Sequence, residues 1–163
     1  MFELDNQELA MRVLAALLCG GIIGLDREVR SHAAGVRTHA LASEGAALFT
    51  LAGILIAREA HELGYTGADP ARVASTVVQG IGFLAAGVIF ASAAKVQGLT
   101  TAAGLWATAA VGIVCGAGFY FLAFFATFST VLVLSLFKTV EERVADRFQQ
   151  VGSDDHQEDK STD

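Results

Sequence analysis

The chain has 163 residues, 53% of them hydrophobic, with 17 glycines, one proline and a net charge of −6; its mean hydropathy is +0.52. That is too apolar for a water-soluble domain of this length, and no nucleic-acid partner is expected; the net charge itself misleads, since five acids fall in the last ten residues. An all-α polytopic membrane protein is expected instead.

The chain opens with Glu3, Asp5 and Glu8 ahead of any basic residue. It thus lacks the basic start of a cleaved signal peptide, so residues 1–9 are expected to be an external segment and the first helix to be retained. Five transmembrane helices are expected at about 10–25, 38–57, 70–94, 101–115 and 118–137. Residues 73–94 and 96–137 contain no Asp, Glu, Lys or Arg. A hydrocarbon core of roughly 30 Å needs about 20 helical residues, so the first stretch holds one crossing and the second holds two. Gly116, Ala117 and Gly118 supply the turn between those two.

Within the first helix Arg12 lies near the outer end and can snorkel outward. Both cysteines, Cys19 and Cys115, fall inside apolar stretches and read as small hydrophobes, not as a disulfide or metal site. Asp69 followed by Pro70 is an N-cap and first-turn proline, which starts the third helix. The fifth helix carries six phenylalanines and no glycine after Gly118, the profile of a lipid-facing helix that wraps the other four. Beyond it, Val140, Val144 and Phe148 mark a short cytoplasmic helix over 138–150, and 151–163 reads as a disordered acidic tail.

Five crossings put the first and third connections on the side of the C-terminus. Arg27, Arg30, Arg37, Lys95, Lys138, Arg143 and Arg147 fall there, against Arg12, Arg58 and Arg72 on the other side. The positive-inside rule then places the N-terminus outside and the C-terminus in the cytoplasm.

Lipid gives helices no hydrophobic drive to associate, so close packing rests on small residues. The pairs Gly20/Gly24 and Gly112/Gly116, together with Gly80, Gly82 and Gly87, mark the first, third and fourth helices as interior members of the bundle. A shift of 63 residues aligns Gly24, Gly35, Thr38 and Gly53 with Gly87, Gly98, Thr101 and Gly116, which suggests a duplicated helical hairpin whose inner turns meet at the cytoplasmic face.

The charged connection after the first helix has two readings. Arg27, Glu28, Arg30 and Arg37 can be topology determinants that bind anionic lipid headgroups. Alternatively Arg37, Thr38 and His39, brought beside Lys95, Thr100 and Thr101 by the two inner turns, form a polar site for an anion or an acidic partner segment. Taken singly, Thr38 and Thr101 are also simple N-caps. Glu44 returns to the helix face of Arg37 roughly 9 to 10 Å deeper. An acid at that depth is either a handler of protons or cations, or a neutral or Arg-paired group facing the bundle.

No metal or other cofactor is expected. Asp26 and Glu28 are the only close acids, with arginines competing for them, and His32 and His39 lack a third ligand. No nucleophile elbow, Walker loop or dinucleotide fingerprint occurs, so no enzyme is expected.

In order, GGIIGLDREVR, AAGVRTHALASEGAALFTLAG, DPARVASTVVQGIGFLAAGVIF and KVQGLTTAAGLWATAAVGIVCGAG closely resemble the MgtC/SapB family of bacterial inner-membrane proteins over roughly Ala10 to Tyr120. The resemblance implies five helices and a role tied to growth in low magnesium and, in intracellular pathogens, to survival inside host cells. It also implies a partner, since the family's namesake restrains the F-type ATP synthase. The chain departs from the namesake by ending soon after the fifth helix without an ACT-like domain, and by Thr100 where the namesake has Asn. Glu44 stands where members usually carry an uncharged residue.

Two functions are therefore expected. The first is a non-enzymatic regulator acting on another membrane complex. The second is a small cation or solute transporter, a homo-oligomer in which Glu44, Gln79 and the inner turns line a path.

Overall fold

Apolar stretches bounded by charge and glycine become the helices of the computed structural model, which describes residues 5–90 and 97–136. They are α1 (Asn6–Val29), α2 (Val36–Glu62), α3 (Pro70–Phe90), α4 (Leu99–Gly116) and α5 (Tyr120–Leu136). There is no strand among the described residues, in keeping with the expected all-α membrane class. The first four helices are long and apolar enough to cross a bilayer. Lys95, the expected end of the third helix beyond residue 90, the 138–150 segment and the acidic tail lie outside the described residues. Residues up to Val131 make one compact unit, and Leu132 begins a second.

The helices run further into charged sequence than hydropathy suggests, because charges one turn apart pair along the helix. Arg12 Nε donates to Glu8 Oε1 at 2.9 Å inside the first turns of α1, and Arg30 Nε donates to Asp26 Oδ1 at 3.0 Å at its end. The Asp69 side chain accepts from the Ala71 N–H at 2.9 Å, so α3 starts at Pro70 as expected.

The N-caps differ from expectation. Thr38 and Thr101 both lie inside their helices, whose N-caps are Gly35 and Gly98, and neither glycine can offer a side chain. At α2 the missing acceptor comes from α1: Glu28 Oε2 takes the Val36 N–H at 2.7 Å. Gly98 adopts a left-handed φ of +86°, and a Cβ there would lie 3.0 Å from the Val88 carbonyl oxygen of α3. The two N-caps stand at the positions that the 63-residue shift aligns.

Among the first four helices, α2 and α4 each touch the other three, and α4 is the most enclosed. In α4, 56% of the apolar window is buried, against 33% in α1 and in α2 and 11% in α3. This corrects the expectation that α3 is interior. The glycines divide accordingly. A Cβ on Gly20 would meet the His39 carbonyl oxygen at 2.6 Å, one on Gly24 the Val36 Cα at 2.6 Å, and one on Gly116 the Ala47 carbonyl oxygen at 2.7 Å. One on Gly112 would run into the Ser43 carbonyl oxygen. Gly80, Gly82 and Gly87 have nothing within 4 Å among the described residues. A small residue marks where a second backbone can approach; it does not say that the second backbone belongs to the same chain.

On α5, Ala123 and Thr127 are buried one turn apart, whereas Phe121, Phe124, Phe125 and Phe128, and Phe119 just before the helix, are exposed. In a bilayer those rings face lipid.

Candidate functional site

The buried stripe of α1 runs Ala15/Ala16, Cys19/Gly20, Ile23/Gly24 and Arg27, four residues apart at each step. Glycine at two of those steps brings α2 into backbone contact, and the stripe ends on a guanidinium that is 1% exposed. The matching stripe of α2 contains His39, Ser43, Ala46 and Ala47. That of α4 contains Thr101, Gly104/Leu105, Thr108 and Gly112. Where the three stripes meet, the small residues leave a polar centre of Arg27, His39, Ser43, Thr101 and Thr108, all buried.

Its hydrogen bonds assign the roles of its groups. The Thr108 hydroxyl donates to the Gly104 carbonyl oxygen at 2.8 Å, so its oxygen accepts from His39 Nδ1–H at 2.7 Å. That tautomer leaves His39 Nε2 with a bare lone pair. Arg27 Nη2 donates to Thr101 Oγ1 at 3.3 Å. Arg27 Nε, His39 Nε2 and Ser43 Oγ are buried without a hydrogen-bond partner among the described residues. Buried polar atoms are ordinarily paired, so three such atoms in adjoining side chains of one centre mark a place built for something more than packing.

The sequence-derived candidates separate into two groups. Arg27, His39 and Thr101 come together in the buried centre. Arg37, Thr38 and Thr100 are exposed, Arg30 is engaged by Asp26, and Glu28 caps α2. The reason is helical phase: Thr38 and His39 are neighbours in sequence, but each step turns the side chain about 100° around the axis. Ser43 and Thr108 escaped the sequence reading, although each sits at a four- or seven-residue spacing from a residue it named.

Glu44 is half-buried and makes no hydrogen bond or ion pair with the described residues. It shares a helical stripe with Leu48, Leu51 and Leu55, which line a groove against Leu9, Val13 and Leu14 of α1. At about 100° per residue it lies roughly 140° around α2 from His39 and about 100° from Ser43, to the side of the polar centre. Gln79 is exposed on α3. No group of three His, Cys, Asp or Glu side chains converges among the described residues.

At the other end of α1, Arg12 turns inward instead of snorkelling. Its Nη1 donates to the Gly116 carbonyl oxygen at 3.0 Å, and Tyr120 donates to Glu8 Oε1 at 2.9 Å. A carbonyl at the C-terminus of α4 has no intrahelical donor, so a cation there is favoured.

The profile of the MgtC family matches residues 13–143. Among curated proteins, the chain is 41% identical over 135 residues to the "Putative magnesium transporter YhiD" of Escherichia coli K12, covering 83% of this chain and 62% of that protein. It is 43% identical over 123 residues to "Protein MgtC" of Brucella abortus, covering 76% and 48%. To "Protein MgtC" of Salmonella typhimurium it is 38% identical over 134 residues, covering 82% and 54%. The chain thus spans less than two thirds of the length of these relatives. No solved structure matches.

Proposed function

The chain belongs to the MgtC family, and from that premise we propose that it is a non-enzymatic regulator in the bacterial inner membrane. It serves adaptation to low magnesium or acid stress by acting on another membrane complex. The observation that supports this reading is the sign of the polar centre. The buried polar side chains among the described residues are Arg27, His39, Ser43, Thr50, Thr101, Thr108 and Thr127, none of them acidic. A divalent cation takes oxygen ligands, carboxylates prominent among them, and would meet a buried guanidinium in this bundle instead.

The face offered to a partner is that of α3, where Gly80, Gly82 and Gly87 are open and Gln79 can hydrogen-bond across a helix contact. The F-type ATP synthase, implied by the family resemblance, is the first complex to try. Tagged chain should co-purify with it and lower ATP hydrolysis in inverted vesicles, and Gly80→Leu with Gly87→Leu should abolish both effects while the chain stays in the membrane. Full inhibition by that double variant would remove α3 from the reading.

Glu44 favours a second reading, a cation transporter, as does the printed name of the Escherichia coli relative. Liposomes loaded with a magnesium indicator separate the two. Flux that is lost in Glu44→Gln establishes transport, and absence of flux beside intact inhibition of the complex establishes regulation.

A further inference from the structure

We propose that Arg27, Thr101 and the first turn of α4 bind a phosphate group, whether that of an anionic lipid headgroup or free phosphate. Arg27 stays protonated in any protein environment, yet its side chain is 1% exposed. Its single hydrogen bond to a described residue is the 3.3 Å contact with Thr101, and its Nε–H has no partner among those residues. A buried charge normally carries a counter-charge. Asp26, the next residue back, attracts it but gives Oδ1 to Arg30.

The surroundings add donors where an acceptor would be expected. Thr101 lies in the first turn of α4, whose ladder begins with Ala102 N–H to the Gly98 carbonyl at 2.8 Å. The N–H groups of Leu99, Thr100 and Thr101 precede that bond and have no intrahelical acceptor. Gly98 contributes no side-chain cap. The α4 dipole is positive at this end, so Arg27 places a cation beside a partial positive charge. The last turn of α1, to which Arg27 belongs, offsets this only in part.

The chain shows at α2 what such an arrangement calls for. There an equally bare glycine N-cap is met by the Glu28 carboxylate at 2.7 Å. At α4 no described carboxylate stands in that place, and the guanidinium does. Guanidinium, hydroxyl and helix N-terminal N–H groups together form the donor set that holds the several oxygens of a phosphate. Depth agrees with this chemistry. Arg27 is two residues from the end of α1, a 24-residue helix. Such a helix spans about 36 Å against a hydrocarbon core of roughly 30 Å, so its last turn lies at headgroup level.

The test uses the full chain in a non-ionic detergent, with thermal unfolding as the readout. One arm adds sodium phosphate against sodium chloride at equal ionic strength; the other adds phosphatidylglycerol against diacylglycerol in mixed micelles. A saturating ligand should raise the wild-type midpoint by about 5–10 °C in at least one arm. A response to lipid alone identifies a headgroup site, and a response to inorganic phosphate identifies a site for the free anion. Thr101→Val should weaken the apparent affinity about tenfold, Arg27→Gln should abolish it, and Arg72→Gln at the far end should leave it intact. Should Arg27→Gln fail to fold, Thr101→Val carries the test alone. No midpoint shift in either arm, or an undiminished shift in Thr101→Val, overturns the proposal. The assay needs no target complex, so its outcome is separate from that of the regulatory reading.

Discussion

Arg12 and Arg27 stand at opposite ends of α1, and each reaches α4, but they find different surroundings. Arg12 meets the C-terminus of α4, bonding Gly116 and Glu8, with Tyr120 completing the carboxylate. A Cβ on Gly118, whose φ is +87°, would lie 2.7 Å from its guanidinium. Arg27 meets the opposite end of the same helix and finds one hydroxyl at 3.3 Å. One arginine is a staple whose acceptors are all supplied by the chain. The other is a buried cation with donors to spare. Two residues of one type, on one helix, are told apart by which end of the neighbouring dipole they face.

That contrast can be broken in several ways. The largest effect belongs to the packing that encloses Arg27. Gly112→Leu forces a side chain into the Ser43 backbone and should lower the thermal midpoint by about 10 °C or prevent accumulation, whereas Gly80→Leu should shift it by no more than about 1 °C. Equal losses in the two variants would mean that α3 is packed like α4. Next comes Arg12→Ala, which takes the guanidinium donor away from Glu8 and from the Gly116 carbonyl; a fall of about 5 °C is expected from the same scan. Tyr120→Phe removes one hydrogen bond of that staple and should cost about 3 °C. The smallest change is expected at Arg27→Met in phosphate-free detergent. Replacing an under-partnered buried charge by an apolar chain of similar length should leave the midpoint unchanged or raise it. A fall as large as that of Arg12→Ala would erase the distinction between the two arginines.

Much of the fold was legible because its signals are local. Uninterrupted apolar stretches, the Asp69–Pro70 start and the phenylalanines of α5 each report on a few consecutive residues. The site was legible only in part. Arg27 falls on the Ala16, Gly20, Ile23 stripe, and spacing alone could have marked it as buried. Thr38 and Thr101 occupy matching places after Gly35 and Gly98, yet Thr38 is exposed and Thr101 is buried at 5% exposure. Their neighbours differ, Arg37 and His39 against Thr100 and Ala102, but neither pair says which face another helix will cover. What differs is how far each helix is covered: 56% of the apolar window is buried in α4 against 33% in α2.

By itself the sequence determined the membrane class, the approximate spans and the glycines that allow close approach, since hydrophobicity and backbone freedom are properties of short segments. The tertiary structure decided which glycines are used, which of two arginines is buried with a single hydrogen bond to the described residues, and that Glu44 turns from the polar centre. Those outcomes depend on which helix covers which face, and that is settled by contacts between residues far apart in the chain.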